Sequence, residues 1–168
     1  LALALAGCIP REVDGPPPPL PSPRDGSVSQ ALRRGINAGN ALDAPSEGAW
    51  GVVLDEPFFD AVAAAGFDHV RVPIRWNAHA ATAPPFTIDE GFFGRVDWAL
   101  DQIARRGMAA IIDLHHHEEL MKDPDAEGPR FLALWRQIAV RYRARPASVV
   151  YELLNEPTDK LTADRWNR

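Results

Sequence analysis

The tripeptide Asn155-Glu156-Pro157 is the clearest candidate for chemistry in this sequence. It follows an apolar run, Tyr151 to Leu154, with the composition of a buried strand. Such a strand would hold the Glu156 carboxyl half-buried at its end. Desolvation would then raise the pKa of that carboxyl, as a general acid near neutral pH requires. The alternative is a glutamate that caps a loop before a proline, and the tripeptide alone leaves both interpretations open.

Three consecutive histidines, His115 to His117, follow another apolar run and raise the question of a metal site. Alternate residues of a strand point to opposite faces, so the three rings cannot all converge on one ion. The sequence also has no histidine pair at helical spacing and no set of cysteines. We therefore predict no metal and no cofactor. We expect His115 to hydrogen-bond a substrate or a catalytic carboxylate instead.

Arg71 is a charged residue within the apolar run that contains Val70 and Val72. A buried guanidinium keeps its charge, so it needs carboxylate or carbonyl partners. It could orient a catalytic carboxylate and keep it ionised, or it could pair with a structural acid such as Asp113. Both alternatives predict an ion pair in the sheet.

Short apolar strands alternate with amphipathic helices along the chain, and we predict the strands at residues 34–37, 69–74, 109–114 and 149–154. Asp55, Asp89 and Thr162 are predicted helix caps, and a further helix carries its apolar face within residues 131–142. Such repetition indicates parallel strands covered by helices. An open doubly wound sheet and half of a (β/α)8 TIM barrel both fit. A full barrel takes about 250 residues, so this α/β chain would hold the first four βα units.

Each predicted strand ends in polar residues, and in βα barrels the chemistry lies at the carboxyl ends of the strands. Two tryptophans, Trp50 and Trp76, fall in loops at the same end, where exposed indoles could stack on sugar rings. Packing within the loops is the alternative for either one. Four polar clusters at equivalent places predict one shared site: Asn37, Asn40 and Asp43; Arg71, Arg75 and His79; His115, His116, His117 and Glu118; Asn155 and Glu156.

The first residues resemble the end of a bacterial lipoprotein signal peptide, because an apolar run ends in Ala6-Gly7-Cys8. We predict lipidation at Cys8, a Pro-rich tether over 9–30 and a catalytic segment over 31–168, in a protein secreted and anchored to the bacterial cell envelope. An apolar start with a stray cysteine, or a Pro-rich recognition ligand, are the alternatives. The net charge of −5, without a basic stripe, argues against a nucleic-acid partner.

Taken together and in order, these segments resemble glycoside hydrolase family 5, the cellulase family, and in particular its bacterial endoglucanases. The resemblance runs from about Arg34 to the end of the chain. It is carried by Arg34–Asp43, Val70–Trp76, Asp113–Leu120, Phe131–Trp135 and Glu152–Pro157.

The resemblance implies a retaining hydrolase of β-linked polysaccharide, first of all an endo-β-1,4-glucanase. Glu156 would be the acid/base, Asn155 would bind the sugar 2-hydroxyl, Arg71 would support the nucleophile, and His115 would line the site. The resemblance places the nucleophile beyond Arg168, since retention needs a second carboxylate about 5 to 5.5 Å from the first. The fragment alone is then expected to be inactive, and the full-length enzyme to be a monomer.

The resemblance also implies a sugar-binding surface, with Asn40, Asp43 and His116 as substrate contacts beside Trp50 and Trp76. Many relatives carry glutamate at the place of Asp43 and an aromatic residue at that of His117. These departures affect the individual sugar contacts rather than the reaction class. The expected partner is a β-glucan. Mannan, xyloglucan or β-1,3-glucan as substrate, and a non-catalytic carbohydrate-binding protein, are the alternatives.

Overall fold

A computed structural model describes residues 32–167 of the 168-residue chain. Four strands form one parallel sheet whose spatial order follows the chain. The strands are β1 (Gly35–Asn37), β2 (His69–Val72), β3 (Ala109–Asp113) and β4 (Val149–Glu152). A doubly wound sheet reverses its strand order at a switch point. The unreversed order therefore favours the barrel alternative.

Helices connect the strands, as parallel pairing requires. They are α1 (Glu56–Ala64), α2 (Glu90–Arg105), α3 (Glu118–Lys122), α4 (Pro124–Tyr142) and α5 (Ala163–Trp166), with a 3-10 turn at Trp76–His79. The helix that the sequence predicts from its 131–142 face is α4, which begins earlier because Asp123 caps it and Pro124 occupies its first turn. The 3-10 turn and α3 were not predicted.

The predicted caps of α1 and α2 are confirmed. The Asp55 carboxylate accepts a hydrogen bond from the Phe58 amide at 2.9 Å, and Asp89 accepts one from Phe92 at 2.8 Å. Gly107 follows α2 with a φ of +70°, a conformation that a residue with a Cβ adopts only at a cost. Thr162 occupies the predicted cap position of α5, but its side chain makes no capping hydrogen bond.

The core lies between the sheet and its helices. Val70 and Val72 of β2 are fully buried, as are Ile112 of β3, Leu100 of α2 and Ile138 of α4. On each strand, the side chains that alternate with these buried ones face the opposite side of the sheet. The polar side chains of the strands are therefore held on that opposite face.

The structure leaves part of the sequence interpretation untested. Cys8, the predicted signal-peptide segment 1–8 and the predicted tether 9–30 lie outside the described residues. Within 32–167, none of the helices has the length and apolar character needed to cross a membrane.

Candidate active site

Backbone hydrogen bonds continue the strand pairing beyond the ends of the strands. The His115 amide donates to the Ile74 carbonyl at 2.8 Å, and the Asn155 amide donates to the Leu114 carbonyl at 3.0 Å. The segments that follow β2, β3 and β4 are thus joined into one rim. The predicted convergence of polar residues depends on this rim.

Arg71 is the centre of the polar network at the rim. Its Nε and Nη2 atoms donate to the two Glu152 carboxylate oxygens at 2.7 and 2.6 Å, a bidentate pair. Nη2 also donates to Asp113 Oδ2 at 2.6 Å and to Asn155 Oδ1 at 3.0 Å, and Nη1 donates to Asn37 Oδ1 at 3.3 Å. The bonds to Glu152 and the nearby carboxylate charges raise the pKa of Arg71, although partial burial opposes them. The guanidinium is a permanent cation.

Asp113 is the buried acid of this network, with its side chain fully shielded from solvent. Oδ1 accepts a hydrogen bond from the Ile74 amide at 2.9 Å, while Oδ2 pairs with Arg71 and lies 2.6 Å from His115 Nδ1. The structural-acid alternative for Arg71 is therefore present. The same acid also orients His115, so it connects the ion pair to the imidazole.

His115, His116, Asp43 and Trp50 form a second group beside the network. The two imidazole rings are 4.8 Å apart and perpendicular, and the Trp50 indole packs edge-on against His116 at 5.7 Å. Asp43 is buried and accepts a hydrogen bond from the Ala41 amide at 2.9 Å. Burial, followed by the proximity of His115, lowers the pKa of His116. The Trp50 side chain is 45% exposed and open to a ligand.

Glu156 lies at the same end of β4, but its environment differs from the expected one. The prediction of half-burial is wrong, because Glu156 is exposed. Within the described residues β4 is an edge strand, so only one flank of its carboxyl end is covered. Glu156 has a φ of +46° and Asn40 a φ of +64°. Asparagine tolerates that region, whereas a glutamate there carries backbone strain of a kind often found at active sites.

Trp76 does not form part of an exposed sugar-binding surface. Its side chain is fully buried, in contrast to the prediction. The indole Nε1 donates to the Asp113 carbonyl at 2.8 Å, and the ring packs on Phe92 and Phe93 at 5.6 and 5.4 Å between centroids. The 3-10 turn that carries Trp76 directs the side chain inward. Of the two tryptophans, only Trp50 is available to a ligand.

His117 points away from the other two histidines. Strand alternation would place His115 and His117 on one face and His116 on the other, but β3 ends at Asp113, so the alternation does not extend to these residues. Its side chain is buried, and Nε2 lies 3.2 Å from Glu127 Oε2 of α4. Burial lowers the pKa of His117, although Glu127 opposes this effect. His117 therefore belongs to the packing between α3 and α4.

The family profile described as Cellulase (glycosyl hydrolase family 5) matches residues 35–168. The chain belongs to glycosyl hydrolase family 5. Its relatives include Endoglucanase H of Acetivibrio thermocellus, 36% identical over 88% of this chain and 17% of the relative. Endoglucanase A of Ruminococcus albus is 33% identical over 81% of this chain and 40% of the relative.

Solved family 5 structures match the fold closely. Cel5A of Thermotoga maritima, solved as a mutant with cellobiose, is 52% identical with a TM-score of 0.81, over 82% of this chain and 47% of Cel5A. The same enzyme solved with mannotriose gives 51% identity and a TM-score of 0.82, over 83% and 46%. The chain thus spans less than half the length of these relatives. The prediction of a truncated (β/α)8 barrel is confirmed.

Glu152 is the member of the Arg71 network that the sequence analysis did not single out. It lies directly opposite Asp113 in the β3–β4 register and forms the bidentate pair with Arg71. The available signal was an acid inside an apolar strand, the same signal that identified Arg71. An unpaired charge there predicts a partner of opposite sign elsewhere in the sheet, and here the partner lies two strands away, on β2.

Proposed function

We propose that this chain carries the acid/base half of a retaining endo-β-1,4-glucanase. Glu156 would protonate the glycosidic oxygen as the bond to the anomeric carbon breaks, while a second carboxylate forms the glycosyl–enzyme bond. Glu156 would then take a proton from the water that displaces that carboxylate. The second carboxylate is proposed to lie in the part of the family 5 domain that this chain does not span.

The observation that supports this role most directly is the position of Glu156. It follows Asn155, whose side-chain oxygen accepts from Arg71 and whose amide is bonded to the segment after β3. The side-chain amide nitrogen of Asn155 is then directed away from Arg71 and could donate to a sugar hydroxyl. Glu156 itself has a φ of +46°, a strained backbone conformation of a kind often found at active sites.

The proposed sugar-binding surface combines Trp50, His116, Asp43 and Asn40. Trp50 offers an exposed indole face, and the polar groups beside it can donate to and accept from hydroxyls. We propose that one sugar ring stacks on Trp50 while His115 and His116 bond its hydroxyls. Mannan is the second candidate substrate, because the Cel5A relative was solved with both cellobiose and mannotriose.

The test is hydrolysis by protein produced at the length of its family relatives. Reducing ends released from soluble cellulose, mannan, xyloglucan and β-1,3-glucan would identify the substrate. We expect Glu156→Gln to lower kcat about 10²- to 10⁴-fold, the usual share of general acid–base catalysis. Glu119→Gln, an exposed acid of α3, is the matched control.

Azide distinguishes an acid/base residue from a structural one. With Glu156→Ala and a substrate whose leaving group needs no protonation, azide attacks the glycosyl–enzyme without a general base. The expected product is a glycosyl azide of retained configuration, formed faster than the hydrolysis product. Wild-type rates in Glu156→Gln, or binding of polysaccharide without hydrolysis in wild type, would contradict the proposal.

We further propose that Cys8 is the site of lipidation and that the protein is anchored to the bacterial envelope. Support comes from the small residues before Cys8 and the Pro-rich segment after it. The measurement is fractionation of cells that express the natural gene. Cys8→Ser should move the protein from the membrane to the soluble fraction, and an unchanged distribution would contradict this proposal.

A further inference from the structure

Three metal-ligating side chains from two different loops meet at the rim. The loop after β1 supplies Asp43, and the segment after β3 supplies His115 and His116. One ligand atom from each lies within 4.8 Å of the others. We propose that Asp43, His115 and His116 bind one divalent transition-metal cation. The sequence argument against a metal considered the three consecutive histidines, histidine pairs at helical spacing and sets of cysteines, and so did not include Asp43.

Each side chain has an atom free to act as a ligand. His115 Nδ1 is held by Asp113 at 2.6 Å, which leaves Nε2 with its lone pair. A carboxylate on the second nitrogen is the usual support of a metal-binding histidine, since it fixes the ring and increases its basicity. His116 Nδ1 lies 3.5 Å from Glu118 Oε1 in a looser version of the same arrangement. Asp43 uses one oxygen for the Ala41 amide, and its other oxygen has no hydrogen-bond donor within residues 32–167.

The distances and donor types select the class of ion. Zn–N bonds of about 2.0–2.1 Å place tetrahedral ligands about 3.3 Å apart, so the cluster must contract by about 1.5 Å. His116 can supply this movement because its side chain is 31% exposed and meets the Trp50 ring only in an edge-on contact on that side. Two imidazoles and one carboxylate suit Zn²⁺, Cu²⁺ or Ni²⁺ better than Mg²⁺ or Ca²⁺, which prefer oxygen. Water would complete the coordination.

The cation would occupy the surface that we assign to the sugar, a consequence that rests on the proposed function. Zn²⁺ and polysaccharide would then exclude each other, and Zn²⁺ would act as a competitive inhibitor. Binding of the ion itself does not depend on hydrolysis. The two proposals can therefore fail separately.

Calorimetric titration of the protein with ZnCl₂ tests the site directly. We expect one Zn²⁺ per chain in wild type, and at least a tenfold weaker affinity in Asp43→Asn and in His116→Ala. His69→Gln is the matched control, because His69 lies at the start of β2, at the opposite end of the sheet. It should bind as wild type does. Equal affinities in wild type and both site variants, or loss of binding in the control, would overturn the proposal.

Co²⁺ provides a second measurement that does not require a folded variant. Wild-type protein with one equivalent of Co²⁺ should develop the visible absorption of a tetrahedral nitrogen–oxygen site, and ZnCl₂ should remove it. A spectrum that stays that of hexaaqua Co²⁺ would also overturn the proposal. Whether or not Co²⁺ binds, protein freed of metal by a chelator is expected to hydrolyse polysaccharide as proposed above.

Discussion

At the scale of single residues, the site depends on how one buried carboxylate is shared. Asp113 accepts a backbone amide, a guanidinium and an imidazole, and its own carbonyl accepts the Trp76 indole. A carboxylate buried in this way is stable only with such partners. The donors around Asp113 therefore belong both to the fold and to the site.

Arg71→Lys should impair catalysis. A lysine ammonium cannot form the bidentate pair with Glu152 and also reach Asp113, so Asn155 would lose its fixed position. We expect kcat/KM to fall by about tenfold or more, as for other replacements at bidentate sites. Steady-state kinetics at family length would measure it. Arg75→Lys is the control, since Arg75 contacts Glu118 at 3.3 Å near the surface, and equal values in the two variants would contradict the role of Arg71.

Trp76→Phe should destabilise the fold. Phenylalanine keeps most of the packing on Phe92 but leaves the Asp113 carbonyl without its indole donor. A buried group that loses its hydrogen-bond partner costs about 1–3 kcal/mol, measurable by urea unfolding. Trp50→Phe, at an exposed position, should stay within about 0.5 kcal/mol of wild type. Equal losses would indicate that the hydrogen bond contributes nothing.

At the scale of elements, the sequence predicts most of what the structure contains. The strand positions follow from apolar runs, and Asp55 and Asp89 mark two helix starts because their caps are local interactions. Strands β2, β3 and β4 end one or two residues earlier than the predicted apolar runs, at Val72, Asp113 and Glu152. Of the apolar residues after them, Ile74, Leu114 and Leu154 are buried although they lie outside the strands, whereas Leu153 is exposed. Composition alone cannot distinguish burial in a strand from burial beside one.

The two tryptophans illustrate what the sequence could not settle. Both were predicted in loops that follow strands, yet Trp76 is buried and Trp50 is exposed. The difference arises from a 3-10 turn of four residues, Trp76–His79, that has no distinctive local pattern. The exposure of Glu156 was missed for a related reason, because burial at a strand end depends on the neighbouring strand rather than on the residue's own segment.

The helix caps predict a difference between two similar substitutions. Asp55→Ala removes a bond to the Phe58 amide and should lower the free energy of unfolding by about 1 kcal/mol. Thr162→Ala removes no capping bond and should change it much less. Urea unfolding of both variants would measure the difference. Equal losses would show that the Asp55 bond is not the source of the effect.

At the scale of the whole molecule, three histidines link stability to pH. Burial lowers the pKa of His79, His116 and His117 in the folded state. In the unfolded chain such residues bind a proton near pH 6.5. Between the lowered values and about pH 6.5, the unfolded state holds more protons, so stability rises with pH. The free energy of unfolding should reach its full value above about pH 6.5 and decrease as the solution is acidified.

His79→Phe tests the contribution of His79 to this pH dependence of stability. The imidazole stacks on Phe92 at 3.6 Å with an 8° tilt, a contact that a phenyl ring can keep, while the buried Nε2 finds no partner among the described residues. The slope of unfolding free energy between about pH 5 and 7 should become shallower in the variant. Urea midpoints across that range measure it. An unchanged slope would contradict the assignment to His79.

The Arg71 side chain has one more consequence, which concerns assembly. Its guanidinium bonds Asn37 of β1, Asp113 of β3 and Glu152 of β4 while belonging to β2 itself. If β2 paired with β3 out of register, the buried Asp113 carboxylate would lose its Arg71 partner, at a cost of about 3–5 kcal/mol. The same side chain that arranges the rim therefore destabilises misaligned strand pairings during folding.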